Sequence, residues 1–105
     1  MSPRYVIRNC GSLMDNTLVG FYLVSYDPDG VEGFGLARWE ADVDLAQRFD
    51  SLPDAIACWQ QQSTVRPLRP DGKPNRPLTA YSIEPVPLTA KGEPKYPALF
   101  QREEP

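Results

Sequence analysis

Twelve prolines stand in 105 residues, and they crowd into the last forty. Proline has no backbone N–H to give to a sheet ladder, and inside a helix its ring clashes with the preceding turn. It is tolerated in the first helical turn, on edge strands and in turns. The back of the chain therefore holds neither a long helix nor a central strand, and most of the regular structure must come from the front. The stretch "RPLRPDGKPNRPL" (66–78) carries the constraint furthest, since each of its four cations directly precedes a proline. A residue in that position is pushed out of the α region into extended or polyproline backbone. Two extended arms around an Asp71-Gly72 turn are expected, with Arg66 and Arg69 sharing one face of a three-residue repeat and Lys73 and Arg76 sharing another.

The front of the chain reads as strands and then a helix. "RYVIR" (4–8) alternates, "VGFYLVSY" (19–26) is a stronger strand, and "FGLARWE" (34–40) is a third. The third places Phe34 and Leu36 on one face and Trp39 on the other, and Asp29-Gly30 marks the hairpin before it. "DVDLAQRF" (42–49) has room for one helical turn, with Asp44 as its cap. "SLPDAIACWQQQ" (51–62) has Ser51 and Asp54 near a capping box and Pro53 in the first turn. Its Leu52, Ala55, Ile56 and Trp59 fit the spacing of one helical face, with Trp59 the largest anchor. "LTAYSIE" (78–84) returns as a fourth strand, its Tyr81 and Ile83 toward the helix. Pro85 and Pro87 stop that strand or confine it to an edge. The fold class expected is α+β: an antiparallel sheet of about four strands, in the order β-β-β-α-β, with one helix on one face. Residues 1–86 form the single domain, and 87–105 are a proline-rich, partly irregular tail with an apolar group at Tyr96, Leu99 and Phe100. No internal repeat with a period of 20 to 50 residues is expected.

The composition removes several chemistries. There is no histidine, hence neither the commonest general base nor the commonest metal ligand. No G-x-S-x-G elbow exists, and no cluster of cations adjoins Cys10 or Cys58 to favour a thiolate. Both cysteines read as reduced, small hydrophobes. "DPDGVE" (27–32) lacks the third acidic ligand of a calcium loop, and the twelfth position from Asp27 is Arg38, not Glu. Asp42, Asp44, Asp50 and Asp54 stand where turns and helix starts want an acid. We therefore expect no enzyme activity, no catalytic residues, no metal and no cofactor. No apolar run is long enough to span a bilayer, and "MSPRYVIRNC" lacks the apolar core of a secretory signal, so a cytoplasmic location is expected.

Charge is unevenly placed. Residues 1–62 hold four cations and nine acids, whereas 63–78 hold four cations and one acid. The body is acidic and the proline-rich loop is basic. The residues expected to meet a partner are Arg66, Arg69, Lys73 and Arg76 on the loop, with Asp27, Asp29 and Glu32 on the acidic side. Two uses of the loop remain open: neutralising the chain's own acids and carbonyls, or gripping an anionic surface. The sequence pI of about 4.8 opposes general nucleic-acid binding, where a basic domain is expected.

"RYVIRN", "FYLVSY" and "ARWEADVDLAQRFDS", followed by an Ala-containing helix and "RPDGKPNRPLTAY", resemble a loose group of small phage and prophage proteins. The resemblance covers residues 4–84 and brings no catalytic or binding residues with it. It implies a bacterial intracellular setting and an accessory role. The function expected is non-enzymatic: binding and inhibiting a host protein complex that handles nucleic acid, such as a defence system, in the manner of anti-CRISPR proteins. The alternative is nucleic-acid binding through loop 66–77.

Overall fold

The alternating, β-branched stretches at the front pair as strands. A computed structural model describes residues 4–95. Four strands, β1 (Tyr5–Gly11), β2 (Tyr22–Asp27), β3 (Leu36–Glu40) and β4 (Ser82–Pro87), form one antiparallel sheet in the spatial order β3-β2-β1-β4. With the helix Leu52–Trp59 packed against it, this is the α+β arrangement that the pattern predicts. Successive side chains of a strand point to opposite faces, and both faces are used. Ile7, Leu23, Trp39, Phe49, Ala55 and Leu78 build the main core on the helix side. Val6, Tyr22, Ala46, Val86 and Leu88 build a smaller cluster on the other.

The helix begins as read. Ser51 is extended and its hydroxyl accepts the Asp54 amide at 3.2 Å, and Pro53 sits in the first turn. Its inward face differs: Ala55, Cys58 and Trp59 pack on the core, while Leu52 is exposed. Trp59 is half-buried and donates its indole N–H to the Tyr81 carbonyl at 3.1 Å. The short turn before the helix is 3-10 (Val43–Leu45), capped by Asp42 rather than Asp44.

Three strand boundaries move. Residues 17–20 form a turn, so β2 begins only at Tyr22. Phe34 lies outside β3, exposed in the preceding turn. Residues Pro77–Ala80 are a 3-10 turn, and β4 runs through Pro85 to Pro87 instead of stopping before them. Both prolines are accommodated because β4 is an edge strand, where a missing donor breaks no ladder.

The chain also stays in the fold beyond Pro87. Leu88 is only 6% exposed, and residues 88–94 close a hairpin in which the Thr89 amide donates to the Glu93 carbonyl at 2.7 Å. Tyr96, Leu99 and Phe100, expected as an apolar group, lie outside the described residues. This hairpin corrects the expectation of no repeat. The pattern P-L-x-x-x-G-x-P-x-x-P occurs at 67–77 and again at 87–97, twenty residues on. In the first copy Arg69 N–H donates to Lys73 O, Gly72 N–H to Arg69 O and Asn75 N–H to Pro67 O. In the second the corresponding bonds are Thr89 to Glu93, Gly92 to Thr89 and Lys95 to Pro87. Leu68 pairs with Pro74 as Leu88 pairs with Pro94.

Candidate docking face

The predicted site residues lie on two segments that meet at one end of the sheet. The first is the β2–β3 connection. Asp29-Gly30 suggests a tight two-residue turn, but the chain instead makes a short helical turn over Gly30–Gly33 whose last three residues have positive φ. Val31 (φ 51°, ψ 50°) and Glu32 (φ 56°, ψ 34°) both lie in the left-handed region. For L-residues with a Cβ this region costs about 1–2 kcal/mol each, most for a β-branched side chain such as Val31. Such a turn persists only where its surroundings over-determine it.

The second segment, residues 63–76, supplies that restraint. The Asp29 carboxylate accepts from Ser63 Oγ at 2.9 Å, Thr64 N at 2.6 Å, Thr64 Oγ1 at 2.6 Å and Val65 N at 3.3 Å. These bonds, those of Thr64 foremost, hold its pKa down to about 2. Asn75 Nδ2 donates to the Gly33 carbonyl at 2.7 Å and the Arg66 carbonyl at 2.8 Å. Arg66 Nε donates to the Glu32 carbonyl at 3.2 Å, and its guanidinium lies 4.3 Å above the Phe34 ring centroid. Gly33, at φ +90°, packs so tightly on Arg66 that a Cβ there would overlap the Arg66 Cβ. Turn and loop thus form one doubly fastened platform.

The polyproline arms are not formed. Residues 67–75 are the β-hairpin described above, so a two-residue repeat replaces the three-residue one. Of the seven predicted site residues, the structure consumes three internally: Asp29 and Arg66 in the platform, and Arg69 in a 2.9 Å pair with Asp71. Arg66 and Arg69 do not reach the helix C-terminus; the Gln62 side chain instead donates to the Pro67 carbonyl at 2.6 Å. Asp27 accepts the Asp29 amide at 3.0 Å. Among the described residues, no side chain pairs with the Glu32 carboxylate, the Lys73 ammonium or the Arg76 guanidinium, and all three residues are exposed.

Sequence reasoning missed the apolar half of this face. Val31 is 62% exposed, Phe34 64%, Leu36 59%, Val65 62% and Leu68 55%. Phe34 and Leu36 line an open groove of about 350 Å³ together with Tyr26, Trp39, Pro77 and Tyr81. Trp39 and Tyr81 meet edge to face at 5.4 Å and fix its floor. The repeat supplies a signal that could have found Leu68. Its counterpart Leu88 is buried against Val6, Tyr22, Ala46 and Val86, whereas Leu68 has the same backbone and no such cover.

Burial raises the pKa of both Cys10 and Cys58, which disfavours a thiolate. Among the described residues no group of three acidic or sulfur ligands could hold a metal ion, and no helix is long and apolar enough to cross a membrane. Comparison with protein-family models, with curated proteins and with solved structures found no match. The class that the fold defines is a small α+β protein, and the two fastened segments form its candidate docking face.

Proposed function

We propose that this chain is a non-enzymatic binding protein that occupies a surface of another protein through the platform of residues 27–36 and 63–76. One observation carries the reading: five exposed apolar side chains held on a strained, doubly fastened backbone. A rigid face loses little conformational freedom on docking, so more of the contact free energy appears as affinity. Isolated exposed hydrophobes are ordinary, but a contiguous group with a charged rim marks an interaction site. The sequence resemblance to phage and prophage proteins suggests the setting: the cytoplasm of a bacterial host, with a host complex as the partner blocked. Defence complexes that handle nucleic acid, the targets of anti-CRISPR proteins, are the first to try.

The test is affinity capture from nuclease-treated bacterial lysate, comparing the natural chain with Phe34→Asp and Leu68→Asp. A protein complex retained by the natural chain and lost from both variants supports the reading. If everything retained disappears on nuclease treatment, nucleic acid is the ligand, through the exposed cations of loop 66–77, and the protein-docking reading fails.

A further inference from the structure

Adding the turn to the loop changes the charge of the platform: residues 27–36 and 63–76 together hold four acids, Asp27, Asp29, Glu32 and Asp71, and four cations, Arg66, Arg69, Lys73 and Arg76. Arg69 pairs with Asp71, while Arg66 and Asp29 keep their charges although a carbonyl, a ring, amides and hydroxyls hold them in place. Asp27 at the end of β2 and Glu32 on the turn then face Lys73 on the hairpin and Arg76 just past it as the charges at the outer edges. The segment that looks basic in sequence belongs to a surface balanced between two signs. A phosphate backbone calls for a field of one sign. A face split into an acidic half and a basic half, with apolar side chains on both sides of the seam, suits a different occupant.

We propose that this occupant is a second copy of the chain, paired about a two-fold axis that sets Lys73 and Arg76 of each copy against Asp27 and Glu32 of the other. A two-fold interface must be complementary to itself, so that residue i meets j and j meets i. The platform meets that condition because its opposite charges lie on separate segments: the turn carries the acids and the hairpin the cations. Val31, Phe34 and Leu36 from the turn and Val65 and Leu68 from the loop supply the apolar contact. The backbone that presents them is already fixed by Asp29 and Asn75, so pairing orders little. Like charges meet if the pairing is parallel, which selects the antiparallel, two-fold arrangement.

This inference concerns the free chain and goes beyond the host-partner reading. It is tested by sedimentation velocity of the full chain from about 1 µM to about 500 µM, a span that covers the micromolar affinities of small interfaces. A concentration-dependent shift from monomer to dimer is expected, weakened by added salt. Asp27→Lys/Glu32→Lys and Lys73→Glu/Arg76→Glu should each raise the dimer dissociation constant at least tenfold. An equimolar mixture of the two should restore a dimer, because every cross-pair is again of opposite sign. Circular dichroism checks that each variant folds. Where a double variant does not, the exposed single changes Glu32→Lys and Arg76→Glu replace it in the same mixing design. A monomer throughout, an assembly growing past two copies, or a mixture that fails to recover the dimer overturns the proposal. A dimer seen while the nuclease-treated lysate yields no protein refutes the host-partner reading alone.

Discussion

The twin hairpins permit a controlled comparison of two leucines that share a preceding proline and a backbone hydrogen-bond pattern. Leu→Ala removes three carbons. At about 0.8 kcal/mol per buried methylene, Leu88→Ala, at 6% exposure, forfeits about 2.3 kcal/mol of transfer free energy. A cavity term adds to this, because Val6, Tyr22 and Val86 lie on three different strands and Ala46 just past the 3-10 turn, and they close the gap only in part. About 3 kcal/mol is expected in all. Leu68 is 55% exposed, which caps the transfer loss for Leu68→Ala at about 1 kcal/mol. Its open surroundings leave no cavity to add. Urea unfolding followed by tryptophan fluorescence reads the difference. With a slope of about 1.5 kcal/mol/M, the midpoint should fall by about 2 M for Leu88→Ala and by less than about 0.7 M for Leu68→Ala. Repeating the titration at two protein concentrations separates fold stability from any pairing of copies. Equal losses for the two variants would refute the reasoning, since Leu68 would then be packed as its counterpart is.

Two further perturbations test the platform. Asp29 has its pKa lowered from 3.8 to about 2, so its ionised form is the one the fold favours. Its contribution is present above about pH 4 and is lost as pH falls through about 2. The Thr64 and Val65 amide resonances should shift across that window, and Asp29→Asn should abolish this dependence; shifts of equal size in the variant would remove Asp29 as the fastener. Gly33→Ala and Gly72→Ala both place a Cβ at positive φ, and the second meets open space, so it should cost only about 1 kcal/mol. Gly33→Ala adds an overlap with the Arg66 Cβ and should cost at least twice as much, with loss of amide-exchange protection at Ser63 and Asn75; equal costs would mean that turn and loop do not touch as described.

What the sequence made legible was local. The Ser51 cap, Pro53 in the first turn and the alternation of β1 and β3 are decided by neighbours within four residues, and they were read correctly in kind. The boundaries that moved depend on position in the sheet. Pro85 and Pro87 permit either a stop or an edge strand, and only the sheet order decides for the edge. The left-handed turn at Val31 and Glu32 was beyond reach, because what sustains it lies more than thirty residues away at Ser63, Thr64 and Asn75. The repeat, by contrast, stands in the sequence at a spacing of twenty residues, but only five of its eleven positions are identical: Pro, Leu, Gly and the last two Pro.

The candidate site shows the same division, with a consequence for charge reasoning. Counting residues 63–78 gives a strongly basic loop, yet a partner meets that loop together with the acidic segment fastened to it. Arg69 lost its freedom to a neighbour two positions away, which the Arg-Pro-Asp-Gly turn could have foretold. Arg66 lost its freedom to Phe34 and the Glu32 carbonyl, an encounter only the tertiary fold creates. The same encounter turns Phe34 outward from its expected place in β3 and makes it part of the exposed face. One long-range contact thus fixes an exposed cation in place and sets an exposed aromatic ring beside it. On the proposed reading the platform serves apolar docking with balanced charge rather than anion recognition, and the mixing experiment reads that balance directly.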